Sequence, residues 1–338
     1  MKITDMEKIL TIVIPTYNMQ DYLRRCLDSL IVQGEQMKQL EVLVINDGSK
    51  DESSAIAQGY QDKYPDTFRV IDKENGNYGS CVNRGLKEAT GKYFRILDAD
   101  DWFDTNELHK FLIYLSKPLV SDVVLTNYVV VKAKNRSSNV KPKSLKYNVE
   151  YDIDGLSLKD DAEILRMHSM TFRTELLKRI DLQLQTGISY TDIEYCYFPF
   201  KNAKTIIALD VNLYHYWIAR DGQTMTPRVI VNKFSDFYSV TYRIVQDYSN
   251  SCNQLSNRKK EALVKILRNP LYFLYLINIV LLKNVPMVQE HKLHEVTAVC
   301  AKSKLISKEI NSFTYKKIPF VKLNEMLKFK LSLVFGIR

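Results

Sequence analysis

Cysteine is sparse and scattered: Cys26, Cys81, Cys196, Cys252 and Cys300 are the only five in 338 residues, and no two form a C-x-x-C pair. That spacing excludes a disulfide scaffold and a zinc cage, and it suits a reducing cytoplasm. The first residues, Met1-Lys2-Ile3-Thr4-Asp5, lack the apolar h-region of a signal peptide, so a cytoplasmic location is expected. The most apolar run, Leu271 to Leu282, has 12 residues, too few to span a bilayer, and is expected to be a buried helix. There are no internal repeats and no low-complexity tracts. Disorder is excluded as well, because hydrophobic residues make up 46% of the chain and charged residues 26%.

What is present is an alternation of strand and helix signals over the first 130 residues. Leu10 to Ile14 reads as a strand stopped by Pro15, and Asp21 to Gly34 as a helix with Leu23, Leu27, Leu30 and Ile31 on one stripe. Strands are expected at 41–45, 68–71, 93–97 and 122–131, with helices at about 51–64, 80–89 and 105–116 between them. Such alternation implies a mostly parallel, Rossmann-like α/β sheet with helices on both faces. Residues 132–150 break the rhythm with six basic side chains and read as a surface hairpin or loop. Mixed signals resume from Leu158 to Tyr216, and beyond Pro227 the pattern is helical, notably at 231–249, 257–282 and 287–302. The expected organisation is a domain over 1–225 and a mainly helical region over 226–338.

The chemistry gathers where strands end. Asp98-Ala99-Asp100-Asp101 directly follows Tyr93-Phe94-Arg95-Ile96-Leu97, at the carboxyl edge where open α/β sheets bind ligands. In an extended chain residues i and i+2 point the same way, so Asp98 and Asp100 can converge on one target. Paired hard oxygen ligands suit Mg2+ or Mn2+, ions that usually arrive with phosphates. A bare D-x-D is weak, but it has company. Pro15-Thr16-Tyr17-Asn18 closes the first strand and Asp47-Gly48-Ser49 the second; Glu74-Asn75-Gly76-Asn77-Tyr78-Gly79-Ser80 follows the third, and Asn83-x-Gly85 comes next.

In this order and at these intervals the motifs resemble the family 2 glycosyltransferases of GT-A type, over roughly residues 10–220. The resemblance implies inverting transfer of a sugar from a nucleotide-activated donor, most often a UDP-sugar, to an acceptor hydroxyl. It implies that Pro15, Thr16 and Tyr17 hold the base, with Asp47 on the uracil or ribose and Asn75 and Asn77 in the same nucleotide pocket. Asp98, beside Ala99, would face the ribose, and Asp100 would bind the metal. The family's E-D-x-x-F-like segment corresponds to Tyr190-Thr191-Asp192-Ile193-Glu194, which makes Asp192 the expected base and Glu194 the fallback. Independently, Asp192 and Thr191 read as the N-terminal acid and the cap of a helix running to Phe200. His215 in Leu213-Tyr214-His215-Tyr216-Trp217 would complete the metal shell, or pack in the core. Arg220 would clamp the diphosphate. Relatives often carry Ala-Arg-Asn-x-Gly where this chain has Val82-Asn83-Arg84-Gly85, so that nucleotide contact is lost or passes to Arg84; Gln20 stands where many have Glu.

Two other functions fit less well. A sugar-phosphate nucleotidyltransferase needs a glycine-rich, Arg-bearing loop after the first strand, and Pro15-Thr16-Tyr17-Asn18 has none. The net charge of +9 could draw nucleic acid, but no nucleic-acid-binding module is recognisable. A non-catalytic sugar-nucleotide-binding or scaffolding protein remains the alternative. The acceptor implied is a glycan or a lipid-linked glycan, as in bacterial surface polysaccharide synthesis. From Ala301 onward nine Lys/Arg face two acids amid interleaved apolar residues. That tail reads either as a solvated terminal helix or as one resting peripherally on an anionic leaflet.

Overall fold

The computed structural model describes residues 7–118, 120–132, 136–218, 227–282 and 286–327. Two compact units emerge: Met1–Gly155 with Glu163–Arg220, and Leu156–Ala162 with Asp221–Arg338.

The first unit is built on one mixed sheet. Strands β1 (Leu10–Thr16), β2 (Leu40–Asn46), β3 (Phe68–Asp72) and β4 (Tyr93–Ile96) run parallel in the order β3-β2-β1-β4. Helices α1 (Gln20–Asp28), α2 (Gln36–Gln39), α3 (Ser53–Lys63) and α4 (Asn77–Glu88) lie on the connections between them. All seven residues of β2 are buried, as expected of a parallel strand covered on both faces. The short β5 (Trp102–Phe103) and helix α5 (Thr105–Leu115) lead to β6 (Val123–Lys132), and Asp104 caps α5 by accepting from the amides of Asn106 and Glu107.

The GT-A fold expected from the sequence is present, and the second half of its sheet is mixed. After β6 come β7 (Arg136–Val140), β8 (Glu150–Asp152), β9 (Met170–Arg173) and β10 (Thr205–Trp217), with helices α6 (Thr174–Arg179) and α7 (Asp192–Asn202) between the last two strands. Strand β9 wedges between β4 and β6 and is antiparallel to both, while β6 and β10 run parallel. Within the basic stretch, β7 pairs antiparallel with the end of β6, Lys132 opposite Arg136 and Tyr128 opposite Val140. One expectation needs correcting: Pro15 does not stop β1, which continues to Thr16. Its missing N–H points to the β4 side, where pairing has already ended at Val13 and Ile96, so no ladder bond is lost.

In the second unit, helices run at Phe234–Ser251, Asn257–Leu276, Met287–Cys300, Lys304–Asn311 and Phe320–Leu327. The 257–276 helix continues through a π-helical turn, Ile277–Leu281. The whole stretch Asn257–Leu281, 25 residues with mean hydropathy 1.3 in its most apolar window, is long enough to cross a membrane, unlike the 12-residue run taken from sequence. That window is 72% buried inside the protein, and the helix carries Pro270, so its burial fits the expected core helix. Glu309 ties two of these helices together by accepting from Lys265 at 2.8 Å and from Arg268.

Helix α4 lies close against β1 because Gly85 has no side chain. A Cβ there would sit 2.5 Å from Val13 Cγ2 in the buried core. Gly85→Ala is therefore expected to destabilise by about 1–3 kcal/mol through overpacking, offset in part by up to about 1 kcal/mol of helix propensity. Chemical denaturation of the variant checks this, and unchanged or raised stability contradicts the packing.

Candidate active site

The loops after β1 and β2 are laced by side chains accepting backbone amides. Asp47 N donates to Thr16 O at 2.8 Å, and Asn18, held at φ +52°, accepts from Lys50 N at 2.8 Å. Ser49 accepts from Asn18 N, Ser53 from Met19 N, and Gln20 from Glu52 N. Thr16 is buried behind this turn, Pro15 is half-buried beside it and Tyr17 is left 47% exposed, while Ala99 is buried in the acidic turn after β4.

Asp47 is buried. Its carboxylate accepts from Gly76 N at 3.0 Å and from the Lys73 ammonium at 2.5 Å, while its carbonyl accepts from Asn75 Nδ2 at 3.0 Å. Lys73 also donates to Ser80 Oγ, so one cation neutralises Asp47 and secures the start of α4. Asn77 opens α4 at φ +64°, a conformation that asparagine tolerates. Arg84 lies about two turns further along, roughly 10 Å by helix rise. It pairs with Glu88 at 2.9 Å and lines a separate cavity of about 470 Å³ with Lys87, Lys178 and Asp181. The structure therefore does not bring Arg84 to the acidic turn.

That turn closes with Asp101 N donating to Asp98 O at 3.0 Å. Asp98 Oδ1 accepts from the Tyr78 hydroxyl at 2.8 Å. Asp101 is buried, and its two oxygens accept from Tyr214 OH at 2.7 Å and Trp217 N at 2.8 Å, which pins β10 to the turn. Burial, then Asp100 and Asp98, push the Asp101 carboxyl well above the usual carboxylate range. Asp100 is half-buried. Its carbonyl accepts from Arg25, whose guanidinium stacks between Trp102 and Trp217 at 3.9 and 4.5 Å from their ring centroids.

Asp192 opens α7. Asp98 and Asp192 both act electrostatically on Tyr78 and on Tyr216, so both carboxylates lie close to these two rings. Burial raises the Asp192 pKa to about 6, against opposing help from α7 amides and Arg166. Thr191 does not cap α7 through its side chain, and its buried hydroxyl has no partner. Glu194 is not free to act as a base either: its buried carboxylate accepts from Gln185 N at 2.8 Å and Gln185 Nε2 at 2.6 Å. The 184–187 segment is held from its other side by Asn83, which exchanges two 2.8 Å bonds with Leu184, and by Gly76 O, which accepts from Gly187 N. A Cβ on Gly79 would lie 2.0 Å from Gln185 O, so this close approach requires glycine. The N-x-G motif thus positions the segment leading into Asp192.

The expected metal ligands were Asp100 and His215. Among the described residues, the cluster with ligand atoms within 4.8 Å of one another is instead Asp98, Asp101 and His168. His215 stacks on Trp102, its cross-strand partner. His168 sits among Tyr128, Tyr214 and Tyr216 with its Nδ1 buried and unpartnered. Burial, then Arg166 and Arg95, lower its pKa to about 3, leaving the neutral imidazole that metals bind. A mixed carboxylate–imidazole set fits a divalent cation such as Mn2+. Sequence reading missed His168, Lys73 and Tyr78 as contributors. The buried Arg95 guanidinium fixes the His168 segment through His168 O, Ser169 O and Thr171 Oγ1. Arg220, the expected diphosphate clamp, lies outside the described residues.

An α/β fold with a cluster of acids in the turn beyond a central strand is the class of protein these features define. The chain belongs to glycosyl transferase family 2, whose model matches residues 11–181, just over half of the chain. It is 30% identical over 208 residues to an uncharacterized glycosyltransferase of Rickettsia typhi, a match covering 61% of this chain and 63% of that protein. The fold is shared with TarS 1–349 of Staphylococcus aureus, solved in complex with UDP-GlcNAc, at a TM-score of 0.66 and 21% identity over 97% of this chain and 88% of the other. It also resembles the mannosyltransferase PcManGT of Pyrobaculum calidifontis, solved with GDP-Man and Mn2+, at a TM-score of 0.50 and 16% identity over 98% and 87% of the two chains.

Because the folded pKa of Asp192 lies above the ordinary aspartate value of 3.8, the charge costs stability as pH rises between 3.8 and about 6, and the full cost persists above. Asp192→Asn should therefore raise the melting temperature at pH 8 and leave it nearly unchanged at pH 4. A stabilisation of equal size at both pH values contradicts the buried-carboxylate assignment.

Proposed function

We propose that this protein is an inverting, metal-dependent glycosyltransferase that moves a sugar from a nucleotide-sugar, a UDP-sugar above all, to an acceptor hydroxyl. The observation that supports it most is that Asp98 and Asp192 lie close to the same two rings, Tyr78 and Tyr216, with Asp192 raised to about 6. A carboxylate at that value is mostly ionised at neutral pH yet basic enough to take a proton from a hydroxyl. Tyr17 offers an exposed ring to the base, and Asp47, with Asn75 and Asn77 beside it, borders the same pocket. Asp98 and His168, with Asp100 and Asp101 in the same turn, would hold Mg2+ or Mn2+. Such a cation, when bound, neutralises charge developing on the diphosphate leaving group. The chain's own residues do the rest: Asp192 accepts the acceptor proton, and the Asn83–Leu184 clamp keeps it aimed across the cleft.

Inversion follows from one base and one displacement, with attack on the face opposite the departing diphosphate. The acceptor we propose is a glycan or lipid-linked glycan of a bacterial surface polysaccharide, met at the inner face of the membrane. The basic, apolar-interleaved sequence beyond Ala301 supports that placement. The alternative, a sugar-nucleotide-binding protein without turnover, gains nothing from a raised Asp192.

UDP release from a panel of UDP-sugars is expected only with Mg2+ or Mn2+ present, rising with pH through about 6. Asp192→Asn should lower transfer by roughly 10²–10⁴-fold and keep UDP binding. Turnover that survives EDTA, or Asp192→Asn turnover at the wild-type rate, would sink the mechanism. For the membrane part, the full chain should co-sediment with anionic vesicles and lose this on deletion of 301–338; equal sedimentation of both forms contradicts it.

A further inference from the structure

Helix α1 works with two faces. Leu23 and Leu27 turn into the core, while Tyr22, Arg25, Cys26 and Ser29 form a second stripe at i, i+3, i+4 and i+7. That second stripe is the bed of the acidic turn. Cys26 Sγ lies 3.7 Å from Asp98 O, and Ser29 Oγ accepts from Phe103 N at 3.1 Å. Arg25 is the charged member of the four. Its Nη2 donates to Asp100 O at 2.7 Å, and its guanidinium carbon lies 3.9 Å from the centroid of the Trp102 ring and 4.5 Å from that of Trp217.

These three contacts surround one residue. Asp100 precedes Asp101, Trp102 follows it, and Trp217 supplies the amide that Asp101 Oδ1 accepts at 2.8 Å. Tyr22 meets Trp217 edge-on at 5.8 Å and His215 stacks on Trp102 at 5.4 Å, which extends the sandwich on both sides. The Arg25 Nε is buried and has no hydrogen-bond partner among the described residues, so the side chain gives up a donor to lie against the two indoles.

The turn needs such a grip. Asp98, Asp100 and Asp101 repel one another, and the turn closes on the 3.0 Å bond from Asp101 N to Asp98 O. A cation shared by Asp98, Asp101 and His168 requires their ligand atoms within 4.8 Å of one another, and an opened turn would part them. A lysine at position 25 would carry the same charge. Its ammonium has no plane to lie flat between two rings while donating to Asp100 O.

We propose that Arg25 is a positioning residue for the cation site, presetting the Asp98–Asp101 turn so that its carboxylates take a divalent cation together. This rests on the metal-dependent reading above. Arg25 acts through the Asp100 carbonyl, Trp102 and Trp217, without touching the cation or the substrate.

The test titrates Mn2+ into full-length protein saturated with UDP and reads free Mn2+ by electron paramagnetic resonance, with each affinity referred to the folded fraction. Arg25→Met and Arg25→Lys should each weaken Mn2+ by about 10–100-fold, as loss of an outer contact that orients metal ligands does. Trp217→Leu removes one ring and keeps the amide to Asp101; it should weaken Mn2+ roughly 2–5-fold, and it serves if the Arg25 variants fail to fold. Arg24→Gln, which removes the same charge from an exposed position one residue away, should change the affinity by less than about twofold. A merely structural Arg25 would lower the melting temperature and leave the folded variants with wild-type Mn2+ affinity, which overturns the proposal. Wild-type affinity in Arg25→Lys alone overturns it too, because charge would then suffice without the stack. So does an equal loss in Arg24→Gln. Failure of the UDP-saturated wild type to bind Mn2+ at all would instead sink the metal-dependent reading beneath it.

Discussion

The gathering of Asp98, Asp100 and Asp101 in the turn after β4, with Asp192 of α7 close to the same Tyr78 and Tyr216 rings, is the constraint on which the rest of this structure depends. Like charges at short range in a low-dielectric setting repel strongly, and burial alone disfavours each ionised form. The fold offsets this with hydroxyls and amides aimed at the acids. Tyr78 serves Asp98, and Tyr214 with the Trp217 amide serves Asp101. Asp192 receives only partial help, and its raised pKa records the deficit. That deficit supplies the basicity that the proposed general-base role of Asp192 needs.

Two cations hold the frame, half-buried Lys73 and buried Arg95. Lys73 neutralises Asp47 and locks the start of α4. Arg95 has only neutral acceptors among its hydrogen bonds and is lowered to about 10 by burial, so it stays charged at neutral pH. Its bonds run from β4 to the segment carrying His168, coupling the strand that presents Asp98 to the imidazole beside it. A change at Arg95 would therefore act on the site through the backbone, without touching a ligand.

Much of this was legible in the chain because parallel strands read as unbroken apolar runs and turns carry their own residue chemistry. The main strands and helices to residue 131 and the acidic turn followed from periodicity and motif spacing, while Asp192 came from the family resemblance and the short α2 and β5 went unread. Pro15 was misjudged because a proline is harmless where the neighbouring strand has already ended. His168 had no local signal: Arg166-Met167-His168-Ser169 has neither period nor motif, and its place is set by contacts with Arg95, about 70 residues away. Arg84 and the fallback Glu194 had no such signal either: Arg84 pairs with Glu88 along its helix and Glu194 with Gln185. His215 was expected from the resemblance as a metal ligand, with core packing as the alternative, and it stacks on Trp102.

The most direct test of the central claim is anomalous diffraction at the manganese edge from crystals grown with UDP and Mn2+. The account predicts one strong peak within about 2–2.5 Å of the Asp98–Asp101 turn, with the Asp192 carboxylate facing it across the diphosphate. A peak elsewhere in the chain, or Asp192 turned out of the cleft that holds the nucleotide, would contradict it.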